Sequence, residues 1–82
     1  MIRRVEFLPA AERDFARLDR TNQERIVAAL ERYAVSGHGD VKRLKGREGQ
    51  HRLRVGKWRV FFVLNTPDLV LVIGIDNRGE AY

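Results

Sequence analysis

Apolar side chains recur along this chain with two periodicities, that of a helix and that of a β-strand. The change from one to the other predicts the order of the secondary structure elements. Residues Ile2 to Leu8 alternate imperfectly between polar and apolar types, which suits a β-strand. Pro9 follows and suits the first turn of a helix, where no backbone N–H donor is needed. Apolar residues then recur three and four positions apart, which predicts one stripe along a helix that ends near Asp19. This stripe consists of Leu8, Ala11, Phe15 and Leu18.

A second helix is predicted directly after the first. Thr21 to Glu24 has the pattern of a capping box, in which the Thr hydroxyl accepts from the Glu24 N–H and the Glu side chain reaches back. Gly37 is a natural helix stop. Helices joined by about two residues predict an antiparallel helical hairpin. The apolar stripe of the second helix consists of Ile26, Ala29, Leu30 and Tyr33.

The second half of the chain has the pattern of strands. His38 to Gln50 contains three glycines and is predicted to be a loop, with Val41 and Leu44 as its anchors in the core. Three β-type runs follow, and a turn at 65–68 separates the last two. The predicted fold class is α+β, ordered β-α-α-β-β-β, with the helical hairpin packed on one face of a four-stranded, mainly antiparallel sheet in a single domain of residues 1–82. The three runs are His51–Val55, Lys57–Leu64 and Leu69–Ile75.

The pair Gly56-Lys57 predicts a two-residue hairpin turn, and that turn sets the register of the strands on either side. Arg54 then lies opposite Arg59, and paired residues point to the same face of a sheet. Two such arginines repel each other unless an anion or an acid lies between them, which leaves an internal salt bridge to Asp76 or Glu80 or a bound phosphate as alternatives. One face of the hairpin is apolar and is predicted to be the core side: Leu53, Val55, Trp58, Val60, Phe62 and Leu64. The other face carries Arg52, Arg54, Arg59 and Phe61.

Composition excludes several classes of protein. The 82 residues include no Cys, which excludes disulfides, zinc-thiolate sites and a Cys nucleophile. His38 and His51 have no third ligand at metal spacing, so we expect neither a metal nor another cofactor. No apolar run reaches about 18 residues and the N-terminus lacks the apolar core of a signal peptide, so we expect a cytoplasmic protein with no membrane partner.

Positive charge is concentrated in one part of the chain. The net charge is +5, and the 18 residues from Lys42 to Arg59 hold eight basic residues against Glu48 alone. Such a block is either a solvated surface or the footprint of a phosphate-rich partner. Its arginines and one neighbouring aromatic ring suit nucleic acid, through bidentate contacts to phosphate and stacking on bases. The candidate RNA-contacting residues are Lys42, Arg43, Lys45, Arg47, His51, Lys57 and Phe61.

Three segments taken together resemble the RelE/ParE superfamily of toxins from toxin–antitoxin systems. They are Arg43–Gly46, His51–Phe62 and Val72–Tyr82, and the resemblance spans essentially the whole chain. It implies the fold described above. The RelE branch implies a small endoribonuclease that cleaves mRNA, typically in the ribosomal A site, and that a cognate antitoxin neutralises. The ParE branch implies the same fold with DNA gyrase as its target.

The resemblance also implies site residues and a metal-free reaction in which the 2′-OH attacks the adjacent phosphate. Two positions that are Lys in some RelE enzymes are Arg here, and Arg stays protonated, so it is not a general base. Tyr82 is the candidate base, with His51 and Lys57 as the other titratable groups near the arginines. A toxin that acts by binding only is a further alternative. The implied catalytic residues are Arg52, Arg54, Arg59, Arg78 and Tyr82.

The antitoxin has two predicted modes of binding. It either covers the basic block with acidic residues, or displaces the tail that carries Arg78 and Tyr82. Binding that rests on exposed charge pairs weakens as salt rises, whereas binding that is insensitive to salt indicates an apolar groove along the helical hairpin.

Overall fold

The computed structural model describes residues 2–46, 49–64 and 66–77, which form two helices on a five-stranded sheet. The strand order is β1-β5-β4-β3-β2; β2 to β5 form an antiparallel meander, and β1 joins β5 in parallel. The predicted α+β class and the packing of both helices on the sheet are confirmed. The elements are β1 (Arg4–Phe7), α1 (Pro9–Ala16), α2 (Arg20–Ser36), β2 (Asp40–Arg43), β3 (Gln50–Val55), β4 (Trp58–Val63) and β5 (Leu69–Asn77).

The prediction of four strands is wrong, because residues assigned to a loop form the edge strand β2. Asp40–Arg43 pairs antiparallel with β3 through four residues. Val41 packs against the core as predicted, but the other three side chains of β2 are exposed. With only one partly buried side chain, this strand shows no hydrophobic alternation, and its backbone pairing with β3 holds it in place.

The helix ends follow capping chemistry. The predicted capping box at Thr21–Glu24 is wrong, because α2 starts at Arg20 and Asp19 is its N-cap residue, with a carboxylate that accepts from the Asn22 N–H at 2.9 Å. Asp caps as well as Thr, and this cap adds residues to the helix. Gly37 ends α2 with φ 77°, as predicted. In the described part of the chain, neither helix is long and apolar enough to cross a bilayer.

The core lies between the helices and one face of the sheet. Phe62 is fully buried at its centre, and the Tyr33 ring of α2 packs 5.2 Å from it between centroids. The helix stripes and the core side of the hairpin are therefore those predicted, except that Leu8 is the N-cap residue before α1 and is 40% exposed. The largest fully buried side chains are Phe62, Ile26, Leu30, Leu53, Val60, Val70 and Val72.

A β-bulge changes which face each residue of β5 presents. Phe62 lies opposite Val72, but Phe61 lies opposite Gly74, so β5 contains one extra residue at this point. Because of it, Ile75 is buried after Val72 and Asp76 lies opposite Arg59 on the other face. The Ile75 N–H donates to the Asp14 carboxylate of α1 at 3.0 Å.

Candidate functional site

The sheet face away from the helices carries the predicted arginines. The β3–β4 register is the predicted one, with Arg54 opposite Arg59 and Arg52 opposite Phe61. Gly56 has φ 61°, which is the conformation that this tight turn needs from glycine. Asp40 and Lys42 of β2 lie opposite Arg54 and Arg52 and therefore share the face. We call this surface the open face; its charged residues on β2 to β5 are Asp40, Lys42, Arg52, Arg54, Arg59 and Asp76, and β1 adds the pair Arg4 and Glu6.

Two carboxylates relieve the repulsion between the arginines. Asp76 accepts from Arg59 Nε at 2.8 Å and from Arg59 Nη2 at 3.0 Å, which realises one of the salt bridges that the sequence left open. Asp40 lies 3.6 Å from Arg52 Nη2 and 3.9 Å from Arg54 Nη1. The Asp40 and Asp76 side chains are 57% and 47% exposed, so these ion pairs are weak.

The arginines themselves are less exposed than their partners. Their side chains are 18% exposed for Arg52, 33% for Arg54 and 21% for Arg59. Arg52 Nε is buried and has no hydrogen-bond partner among the described residues. Guanidinium groups held in this way can grip an anion and stabilise added negative charge on it, but they do not accept a proton.

An apolar strip adjoins the arginines on the open face. The Arg59 guanidinium lies 5.7 Å from the centroid of the Phe61 ring. A half-exposed apolar surface beside cations suits the flat faces of nucleic acid bases. Of this strip, the sequence analysis identified only Phe61. The uninterrupted apolar run at 69–73 could have indicated the rest, because such a run makes both faces of β5 apolar. The strip comprises Phe61, Val63, Leu69, Leu71 and Ile73.

His51 is not brought to the open face. It lies opposite Phe62 and stacks on it at 5.3 Å between ring centroids, on the helix-covered side of the sheet. Its Nδ1 is buried without a hydrogen-bond partner in the described structure. Successive residues of a strand point to opposite faces, so a neighbour of Arg52 in sequence is separated from it in space.

The remaining candidate RNA contacts differ in their position relative to the open face. Lys42 is on it and is exposed. Arg43 pairs with His51 at the exposed sheet edge, and Lys45 is exposed just beyond β2. The Lys57 ammonium lies 5.8 Å from the centroid of the Trp58 ring, at the hairpin turn. Arg47, Arg78 and Tyr82 lie outside the described residues.

Comparison with known proteins places this geometry in a family. Residues 5–82 match the family model of the ParE toxin of the type II toxin–antitoxin system, parDE. The chain belongs to the RelE/ParE superfamily of type II toxins. The resemblance drawn from the sequence is confirmed. A RelE1 protein of Methanocaldococcus jannaschii is 43% identical to this toxin over 44 residues, which are 52% of the toxin and 49% of that relative. The match thus spans about half the length of the relative.

Solved structures of similar fold are toxin–antitoxin complexes. The archaeal RelE–RelB complex of Pyrococcus horikoshii matches with a TM-score of 0.79 and 22% identity, over 99% of this toxin and 100% of that chain. The RelB–RelE complex of Methanococcus jannaschii matches with a TM-score of 0.77 and 21% identity, over 93% of each chain. The RelBE2 complex of Mycobacterium tuberculosis matches with a TM-score of 0.61 and 25% identity, over 98% and 97%. The two archaeal matches show the fold alone.

Proposed function

We propose that this toxin is an endoribonuclease that cleaves mRNA in the ribosomal A site, and therefore acts in the cytoplasm. One observation carries the proposal: Arg52, Arg54 and Arg59 are held on the open face beside the aromatic ring of Phe61. Fixed guanidinium groups bind phosphate through paired donors, and the ring offers a surface for a base. The names of the 43% identical relative, RelE1, and of the Mycobacterium tuberculosis complex, RelBE2, support the same branch of the superfamily.

The proposed reaction breaks one bond of the RNA backbone without a metal. The 2′-oxygen attacks the adjacent phosphorus, the bond from phosphorus to the 5′-oxygen breaks, and the products are a 2′,3′-cyclic phosphate and a 5′-hydroxyl. The three arginines hold the phosphate and stabilise the charge that develops as phosphorus becomes five-coordinate. The phosphate must compete with Asp40 and Asp76, which are half exposed and so remain solvated when displaced.

The acid–base part of the proposal rests on the family resemblance. Tyr82 is proposed to take the proton of the 2′-OH, because nearby arginines favour its phenolate form. Arg78 is proposed as a fourth cation on the phosphate. Contacts to the rest of the RNA are proposed for the basic residues Lys42, Arg43, Lys45, Arg47 and Lys57.

Inhibition of DNA gyrase is the second candidate function. It is favoured by the family model itself, which describes a ParE toxin and covers residues 5–82. The arginine arrangement of the open face is the reason for placing RNA cleavage first.

One experiment separates the two functions. After induction of the toxin, primer extension on cellular mRNA reports cleavage, and a supercoiling assay with purified gyrase reports inhibition. Discrete cuts in register with codons, absent from an Arg59→Ala strain, are expected. Intact mRNA together with gyrase inhibition would assign the toxin to the second function.

We also propose that a cognate antitoxin protein neutralises the toxin. The type II family assignment supports this, as does the similarity to the RelBE2 toxin–antitoxin complex of Mycobacterium tuberculosis.

A further inference from the structure

Helix α2 separates its charges onto two sides. Arg25 and Arg32 are seven residues apart, about two helical turns, and both face the β3–β4 hairpin. Glu24 and Glu31 have the same spacing and line an adjoining depression, which shares Ala28 with the one beside the hairpin. The hairpin therefore meets a side of α2 that carries cations.

A cavity of about 360 Å³ lies between this side of α2 and the hairpin turn. Its size falls within the roughly 300–1,000 Å³ of small-ligand sites. Two alanines and a glycine contribute to the lining, so no large side chain fills the space between the arginines. We call it the hairpin cavity; its lining residues are Arg25, Ala28, Ala29, Arg32, Arg54, Val55 and Gly56.

Three arginines, Arg25, Arg32 and Arg54, line the hairpin cavity with little opposing charge. Arg25 lies against the turn, since a Cβ added at Gly56 would be 3.2 Å from Arg25 Nη2. Among the described residues no carboxylate lies within 4.0 Å of Arg25 or Arg32, and the partner of Arg54 is Asp40 at 3.9 Å. Like charges that converge repel each other, and an anion placed between them removes that repulsion.

We propose that the hairpin cavity binds a backbone phosphate of the RNA strand whose scissile phosphate lies on the open face. Arg54 belongs to both places, because it pairs with Arg59 in the sheet and also lines the cavity. In this proposal the RNA strand passes from the open face, around the turn of the β3–β4 hairpin, to α2. Arginine forks match phosphate oxygens, and the continuity through Arg54 favours RNA over an acidic protein as the occupant. The identity of the strand as RNA rests on the proposed function.

The test measures how RNA binding depends on salt, with a probe that is not cleaved. A single-stranded oligonucleotide with 2′-O-methyl groups lacks the attacking hydroxyl, and its dissociation constant is measured by fluorescence anisotropy between about 50 and 200 mM salt. Each lost phosphate contact lowers the slope of log affinity against log salt by about 0.7, which is about 2.6-fold in affinity across that range. We expect this loss for Arg25→Ala and for Arg32→Ala.

Arg20→Ala is the matched control. It removes the same charge from the same helix, but Arg20 lines the adjoining depression and pairs with Glu24. Its slope should equal that of the unmodified toxin, and thermal melting should show all three variants folded. Equal salt slopes for the unmodified toxin and all three variants would overturn the cavity as a phosphate site. The same follows if Arg20→Ala lowers the slope as much as Arg25→Ala and Arg32→Ala do.

Two further outcomes separate this inference from the proposed function. Loss of antitoxin binding in Arg25→Ala and Arg32→Ala, with oligonucleotide binding unchanged, would overturn the phosphate site in favour of a protein partner. A slope change in both variants, in a toxin that leaves mRNA uncut, would support the cavity and contradict the nuclease.

Discussion

At the scale of single residues, the ion pairs of the open-face arginines contribute little to stability. Each arginine is paired with a carboxylate that is about half exposed, and such ion pairs contribute about 0–1 kcal/mol to the free energy of unfolding. Their geometry matters more, since Asp76 holds the Arg59 fork by two hydrogen bonds. A guanidinium oriented in advance loses less entropy when it grips a phosphate.

We therefore predict that Arg59→Ala and Arg54→Ala each abolish growth arrest while leaving the fold intact. Removing one group that stabilises the transition state typically slows a reaction by about 10²–10³. Growth after induction and the melting temperature of the purified variants measure the two effects separately. Arg20→Ala, which changes charge away from the open face, should stay toxic. Full toxicity of both variants at normal expression would remove these arginines from the site.

The second prediction at this scale concerns the proposed base. Tyr82→Phe removes one oxygen, so RNA binding should change little while single-turnover cleavage slows by about 10²–10⁴, the range for a lost acid–base group. The other tyrosine of the chain supplies the control, because Tyr33 is buried against Phe62 in the core and Tyr33→Phe removes the same atom there. Cleavage by Tyr82→Phe at the rate of the unmodified toxin would exclude Tyr82 as the base.

At the scale of elements, the bulge in β5 connects the core to the open face. Residues Val70 and Val72 are buried, and unbroken alternation would bury position 76 as well. After the extra residue the odd-numbered positions face the core instead of the even-numbered ones. Ile75 is therefore buried and Asp76 reaches Arg59. Asp14 accepts the Ile75 N–H near this bulge. A helix residue outside the site thus supports the strand that carries the partner of Arg59.

Asp14→Ala should lower the free energy of unfolding by about 1–3 kcal/mol, because a partly buried N–H then has no acceptor. Asp14→Asn keeps an oxygen at this position and should lose less. Urea denaturation measures the free energy of unfolding of both variants and of the unmodified toxin. Glu12→Ala is the control, since Glu12 is an exposed carboxylate of the same helix. If Asp14→Ala were as stable as Glu12→Ala, the hydrogen bond to Ile75 would contribute nothing.

The elements also show what the sequence could predict. The helix stripes, the core side of the hairpin and the register at Gly56-Lys57 were predictable, because spacing of apolar residues and turn chemistry determine them. Strand β2 was not predictable, since Val41 is its single partly buried residue. Because β2 was missed, Asp40 was also missed as the partner of two arginines. The bulge was not either, because one extra residue in an apolar run leaves no pattern. The separation of His51 from the arginines follows from strand alternation alone.

At the scale of the whole molecule, different surfaces carry different charge. The open face and the hairpin cavity are cationic, whereas a groove beside the edge strand β1 is apolar with an acidic rim. The largest part of this groove has a volume of about 440 Å³, and two adjoining depressions share Val27 with it. We call it the edge groove; it is lined by Val5, Phe7, Phe15 and Val27, and its rim carries Glu6, Glu12, Glu24 and Glu31 together with Arg20, which pairs with Glu24.

An antitoxin docked on the apolar edge groove would leave the open face accessible. The outer edge of β1 carries backbone groups that a partner strand can pair with, and the acidic rim favours a segment with basic flanks. An antitoxin bound over the open face would instead need acidic residues, and its affinity would fall steeply as salt rises. The two sites therefore differ in the partner chemistry and in the salt dependence that they require.

We predict that Val27→Asp raises the dissociation constant of the antitoxin at least tenfold while toxicity persists, because a buried, unpaired carboxylate costs more than the ~1.4 kcal/mol that a tenfold change represents. Val35→Asp is the matched control, since Val35 lies on the same helix, is 57% exposed and does not line the edge groove. Isothermal titration at two salt concentrations measures both variants. Unchanged binding by Val27→Asp, together with an affinity that falls as salt rises, would place the antitoxin on the open face instead.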